Sequence, residues 1–100
     1  MISSVSINPR ANVYFDGKCV SHSFITATGE KKSAGVILPS TLTFSTNEPE
    51  IMEVVEGSCE VDLGNGNWQS FGPGERFNVP GKGSFVIKVA APFHYICHFG

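Results

Sequence analysis

One carboxylate stands out by its setting. Glu50 lies within Thr41 to Gly57, TLTFSTNEPEIMEVVEG, where the polar turn Asn47-Glu48-Pro49 joins two strand-like runs. In the first run Thr41, Thr43 and Ser45 alternate with Leu42 and Phe44, so the hydroxyls share one sheet face and the apolar groups the other. In the second run Glu50, Met52 and Val54 share a face, and Gly57 closes it at a hairpin position. A carboxylate so placed can accept hydrogen bonds or offset a developing positive charge, and the hydroxyls of Thr43 and Ser45 can donate to an oxygen-rich ligand. The competing reading is structural: a carboxylate that satisfies nearby turn amides, beside hydroxyls that fill a polar outer face.

The elements that must hold these residues read as strands. With 11 glycines and 6 prolines in 100 residues, 41% hydrophobic and 16% charged, the chain is too apolar for disorder and rich in turns. Met1 to Asn12 is polar and broken by Pro9, an arm or edge-covering segment, which leaves residues 13–100 as one small domain. After Val13-Tyr14-Phe15 and the tight turn Asp16-Gly17, strands are expected over Lys18–Thr26, Ser33–Leu38, Thr41–Thr46, Glu50–Glu56, Ser58–Leu63, Trp68–Phe71, Glu75–Val79, Ser84–Val89 and Phe93–Phe99. Thr28-Gly29-Glu30-Lys31-Lys32 reads as a charged turn, and Gly64-Asn65-Gly66-Asn67 carries the strongest hairpin signal. About nine or ten short strands with no helix give a sandwich or barrel.

Charge and cysteine usage exclude several functions. A net charge of −2 with seven scattered Lys and Arg provides no field for nucleic acid. Cys19, Cys59 and Cys97 are odd in number and lack CxxC spacing, which points to buried reduced thiols instead of a disulfide framework or zinc site. No apolar run approaches the roughly 18 residues of a membrane span, and the first residues lack a signal-peptide core, so a cytoplasmic protein without a membrane partner is expected.

Two segments resemble the paired motifs of the cupins, small jelly-roll barrels. The first cupin motif, His-x-His, a few residues, Glu, six residues, Gly, aligns with Thr43-x-Ser45, Glu50 and Gly57, and both histidines have become hydroxyls. The second aligns Gly74 and Pro80, with Phe85 in the histidine position. One carboxylate cannot replace three imidazoles at a metal, so the resemblance implies an all-β, cupin-type jelly-roll barrel of a single domain with no metal ligands. His22, His94 and His98 remain as ligands from elsewhere, but His94 and His98 face away from the apolar side of their strand.

Within the cupins, Tyr14 to Phe99 is similar to the small pyrimidine/purine nucleoside phosphorylases. The resemblance rests on Tyr14-Phe15-x-Gly17-Lys18, Gly35-Val36, Thr43-Phe44-x-Thr46, Glu48-Pro49-Glu50-x-Met52, Trp68, Gly74-x-x-Phe77-Asn78-Val79-Pro80-Gly81 and Tyr95-x-Cys97. It implies phosphorolysis of purine and pyrimidine nucleosides by inorganic phosphate to free base and pentose 1-phosphate, with no cofactor. On that reading Glu50 is catalytic, holding ribose or offsetting its positive charge, while Thr43 and Ser45 donate to sugar or phosphate oxygens. Lys18 is the first choice for phosphate and Arg76 the reserve. Among Phe15, Phe77, Phe85 and Tyr95 some would stack on the base, which suits broad specificity because every base has a π-face, and Asn78 could meet a base edge. The alternative is a metal-free cupin that binds a small sugar or nucleoside without catalysis. Exposed sheet edges in so small a protein lead us to expect a homodimer.

Overall fold

Alternation along Phe93–Phe99 decides the face that each side chain takes: Phe93, Tyr95 and Cys97 are buried, whereas His94, Ile96 and His98 are half-buried. The computed structural model describes residues 1–64 and 66–99. Among them are eleven strands: β1 (Ser6–Ile7), β2 (Asn12–Tyr14), β3 (Cys19–Ile25), β4 (Lys31–Ile37), β5 (Ser40–Thr46), β6 (Glu50–Glu56), β7 (Cys59–Asp62), β8 (Trp68–Phe71), β9 (Arg76–Val79), β10 (Gly83–Val89) and β11 (Phe93–Phe99). A single 3₁₀ turn, Phe15–Gly17, separates β2 from β3. The hairpin expected around Asn65 falls on a residue outside the described set.

The strands pair antiparallel in two sheets. One runs β1-β3-β4-β11-β6-β9, with β2 also on β3, and the other runs β5-β10-β7-β8. Their inner faces meet over Cys19, Ile37, Met52, Val54, Val61, Phe77, Val79, Ile87 and Phe93, all at most 5% exposed. No pairing among the described strands joins the two sheets, so the architecture is a two-layer sandwich and not the closed barrel that the motif spacing led us to expect. The physical reason lies in the prolines. Pro39, Pro49, Pro73, Pro80 and Pro92 fall at five of the six points where the chain changes sheet, and a residue without an N–H interrupts the ladder there. Gly57, at φ +85°, marks the sixth; a Cβ on it would lie 2.6 Å from the carbonyl oxygen of Pro92.

The first residues lie against an edge. Ser6 and Ile7 stand opposite Ile25 and Phe24, the N–H of Asn8 donates to the carbonyl of Ser23 at 2.8 Å, and Asn12 stands opposite Ser21. Both short strands therefore cover the outer edge of β3, the side that β4 leaves unpaired.

Candidate functional site

A cavity of about 420 Å³ opens between the sheets, within the usual size range for a small-molecule site. Its two walls differ in chemistry. The seven-stranded sheet supplies most of the polar groups, Asn12, Tyr14, Ser21, Ser23, Lys31, Ser33, Glu50, Tyr95 and Cys97, together with Ile37, Met52 and Phe99, and the four-stranded sheet supplies Phe44, Phe85, Ile87 and the rim residue Ser45. Phe44 and Phe85 stand directly opposite each other on β5 and β10 and stack at 5.4 Å with 15° between their rings. Phe15, held in the left-handed region at φ +53°, packs edge-on to Phe44 at 5.1 Å and braces that wall from behind.

The polar wall is ordered by strand register. Ser21 and Tyr95 flank Gly35 across the sheet, Ser23 and Cys97 flank Ser33, and Phe99 stands opposite Glu50. Gly35 has a specific role here: a Cβ on it would sit 2.6 Å from Cζ and Oη of Tyr95, so only glycine leaves room for the ring. The Tyr95 hydroxyl and the Cys19 thiol hydrogen-bond at 3.5 Å, and burial pushes the phenol far above its ordinary range.

Burial also raises the carboxyl of Glu50; a hydrogen bond from Cys97 opposes that shift and the charge of Glu48 adds to it. The Cys97 thiol is pushed up to about 12 by burial, then by the negative charge of Glu50 and the hydrogen bond that it donates to that residue, with Ser33 acting the other way. It therefore stays a thiol and donates. The cavity thus holds a half-buried carboxylate on a neutral, hydrogen-bonding floor. Among the described residues Lys31 is the one basic side chain that lines it.

Of the residues singled out in the sequence, Glu50, Ser45, Phe85 and Tyr95 line the cavity together. Ser45 sits exposed at its rim, on the same outward alternation as the exposed Thr43, because Leu42, Phe44 and Thr46 take the inward positions of β5. Lys18 is exposed beyond the 3₁₀ turn, where its N–H donates to the Phe15 carbonyl. Phe77 is buried between Phe71 at 4.7 Å and Phe85 at 6.4 Å, behind the cavity. Asn78 is exposed on β9 opposite Ile51, in a separate hollow with Pro49 and the edge of Glu50. Arg76 binds Glu53 at 3.1 Å on the outer face, where His98 also meets Glu53 at 2.8 Å. His22 approaches the Asn8 carbonyl and His94 approaches Glu56, so none of the three histidines reaches the cavity. The described residues contain no group of three or more His, Cys, Asp or Glu placed to hold a metal ion.

Sequence reasoning missed Asn12, Ser21, Ser23, Ser33, Phe44 and Lys31 as lining groups. The signal for Lys31 was present: it lies two residues before Ser33 and so on the same face of β4, but its run of charge reads as a turn. Asn12 had no local signal, since only the pairing of β2 with β3 brings it to the wall.

A two-sheet, all-β protein with a ligand-sized cavity between its layers is the class that this fold and site define. The crystal structure of a protein of unknown function from Acinetobacter sp. ADP1 matches it with a TM-score of 0.96 at 38% identity, over 100% of this chain and 98% of that one. The Clostridium difficile EutQ protein shares the fold alone, with a TM-score of 0.70 at 17% identity over 81% of this chain and 66% of the other. The chain belongs to the pyrimidine/purine nucleoside phosphorylase family, whose profile matches residues 9–99. The pyrimidine/purine nucleoside phosphorylase of Leptothrix cholodnii is 66% identical over 99 residues, 97% of this chain and 95% of that protein.

Proposed function

We propose that the cavity converts a purine or pyrimidine nucleoside and inorganic phosphate to free base and pentose 1-phosphate. The observation that carries this reading is the stacked pair Phe44 and Phe85 on one sheet facing the Glu50 carboxylate, with hydroxyls and an amide beside it, on the other. A nucleoside divides in the same way, with a flat base and a hydroxylated sugar. The aromatic wall holds the base by its π-face and so accepts purines and pyrimidines alike.

In the reaction a phosphate oxygen bonds to the anomeric carbon as the bond from that carbon to the base nitrogen breaks. The bonding pair leaves with the base, which takes up the proton that the phosphate gives up on bonding to carbon. Positive charge builds on the sugar during the step, and Glu50 stands at the polar wall to offset it and to accept hydrogen bonds from ribose hydroxyls. The Cys97 thiol, donating from below, and the Ser33 hydroxyl behind it fix the orientation of the carboxylate. Tyr95 on the floor completes the sugar side, and Ser45 at the rim of the opposite sheet is within the same cavity. The sandwich is read as a cupin-type jelly roll, acting in the cytoplasm as a homodimer. Exposed Ile2, Ile7 and Val13 along the β1–β2 edge give the apolar surface for that contact. Light scattering at micromolar concentration should find two chains per particle.

The deciding experiment incubates the purified protein with uridine, adenosine, guanosine or inosine and follows base release by chromatography. Release should require phosphate and survive chelators. Absence of phosphate-dependent product from every nucleoside tested would replace this reading with a binding protein that does no chemistry.

A further inference from the structure

Resting on that reading, the geometry points to a phosphate subsite built by Lys31 of β4 together with Ser23, Ser33 and Asn12, at the end of the polar wall away from Glu50. Lys31 lines the cavity, and none of the described carboxylates lies within ion-pairing distance of its ammonium group. The group lies 5.6 Å from the centre of the Phe99 ring. Lys32 pairs with His98, so Lys31 is level with Phe99, and Phe99 is opposite Glu50. Lys31, Phe99 and Glu50 therefore form one row across β4, β11 and β6. With about 4.8 Å between neighbouring strands, the backbones of Lys31 and Glu50 are about 10 Å apart.

That spacing suits two substrates of different charge. The strand of Phe99 lies between Lys31 and Glu50, so a phosphate dianion beside the ammonium and a sugar beside the carboxylate occupy neighbouring parts of one row. The donors around Lys31 are those that phosphate uses. Ser33 follows on the same face of β4, Ser23 stands opposite Ser33, and the Asn12 amide donates to the Ser23 hydroxyl at 3.4 Å. The other six cations are placed elsewhere: Arg76 is bound to Glu53 on the outer face, Lys88 lies over Trp68 at 5.0 Å, Lys32 lies 3.9 Å from Glu30, and Arg10, Lys18 and Lys82 do not line the cavity. Because Asn12 belongs to β2, the edge-covering segment supplies part of the subsite.

Steady-state kinetics on Lys31→Ala, Lys31→Arg and the surface control Lys88→Ala test this directly. Loss of a charge-assisted contact predicts a rise of about 10-fold or more in KM for phosphate with Lys31→Ala, and a KM for nucleoside within about twofold of wild type. Lys31→Arg should recover most of the phosphate affinity, and circular dichroism checks that each variant is folded. A parallel titration with inorganic phosphate alone, read as thermal stabilisation, should show a shift in wild type that Lys31→Ala abolishes. Wild-type turnover with an unchanged phosphate KM in Lys31→Ala overturns the subsite and leaves the proposed function standing. A wild type without turnover, whose phosphate-induced shift still depends on Lys31, overturns the proposed function and keeps the subsite. A raised phosphate KM in Lys18→Ala with Lys31→Ala silent moves the subsite to the 3₁₀ turn and refutes the assignment.

Discussion

Replacing Gly35 by alanine puts one methyl group where the ring of Tyr95 now lies. The added Cβ would approach Cζ and Oη of Tyr95 to 2.6 Å and Cε1 to 2.9 Å, about 1 Å inside ordinary contact. Tyr95 is 7% exposed and stacked on Phe93 at 6.1 Å, so the ring cannot swing out to solvent. Overpacking of this kind costs about 1–3 kcal/mol. Losing the hydrogen bond between Tyr95 and Cys19 adds about 0.5–1.5 kcal/mol. The stiffer unfolded chain of the alanine variant returns about 0.4–1 kcal/mol. The net loss centres on about 2 kcal/mol, which in a chain of this size lowers Tm by about 8–16 °C. Urea and thermal unfolding of Gly35→Ala measure it. Tyr95→Leu supplies the partner for a double-mutant cycle, because leucine stops short of the three ring atoms involved; in that background Gly35→Ala should cost nothing and keep the gain of about 0.4–1 kcal/mol from the stiffer unfolded chain. An undiminished Tm for Gly35→Ala, or the same loss with leucine at position 95, would refute the contact as the reason for glycine.

Four further outcomes are expected. Glu50→Gln should lower kcat by about 10² or more with the fold intact, measured by base release and circular dichroism. Because burial raises the Glu50 carboxyl, the folded chain holds that proton more tightly than the unfolded one; the stabilisation is full below the unfolded pKa and is lost as pH rises through the folded value. Glu50→Gln should therefore match or exceed the wild-type Tm at neutral pH, an advantage that fades below about pH 4. Cys59 at about 11, Cys97 at about 12 and the raised, buried Cys19 should resist alkylation in the native protein at pH 8 and react together on unfolding; a rapid native reaction of one thiol in an Ellman titration would contradict their burial. Thr46→Val removes the hydroxyl that donates to the carbonyls of Pro80 at 2.8 Å and Gly83 at 3.3 Å, and should cost about 1–3 kcal/mol in urea unfolding.

Strand positions were legible because nearly every inward run alternates. The expected Glu50–Glu56, Trp68–Phe71 and Phe93–Phe99 coincide with β6, β8 and β11. Pairing between sheets was less legible, because period-two patterning names a face and not the neighbour across it. The motif spacing put Thr43 and Ser45 in the histidine positions, whereas β5 turns Phe44 and Thr46 inward, a shift of one residue that exchanges the two faces. The face of Glu50 was legible because its neighbours Met52 and Val54 declare it. Lys31 was concealed by the charges beside it, and Asn12 by depending on a partner strand nine residues later in the chain. The prolines held more than was taken from them: two of the turns that stay within one sheet, at Asp16-Gly17 and Thr28-Gly29, use glycine, the β1–β2 link holds Pro9, and five of the six changes of sheet hold proline.

That the two cavity walls belong to sheets sharing no ladder has a consequence for redesign. Phe44 and Phe85 face each other on β5 and β10, and neither strand is hydrogen-bonded to the strand that carries Glu50. A combinatorial library confined to these two positions can reshape the aromatic wall while every backbone bond beside Glu50, Cys97 and Lys31 stays in place. On the proposed function, selectivity among nucleobases can be varied at these two residues, open to laboratory evolution independently of the groups opposite.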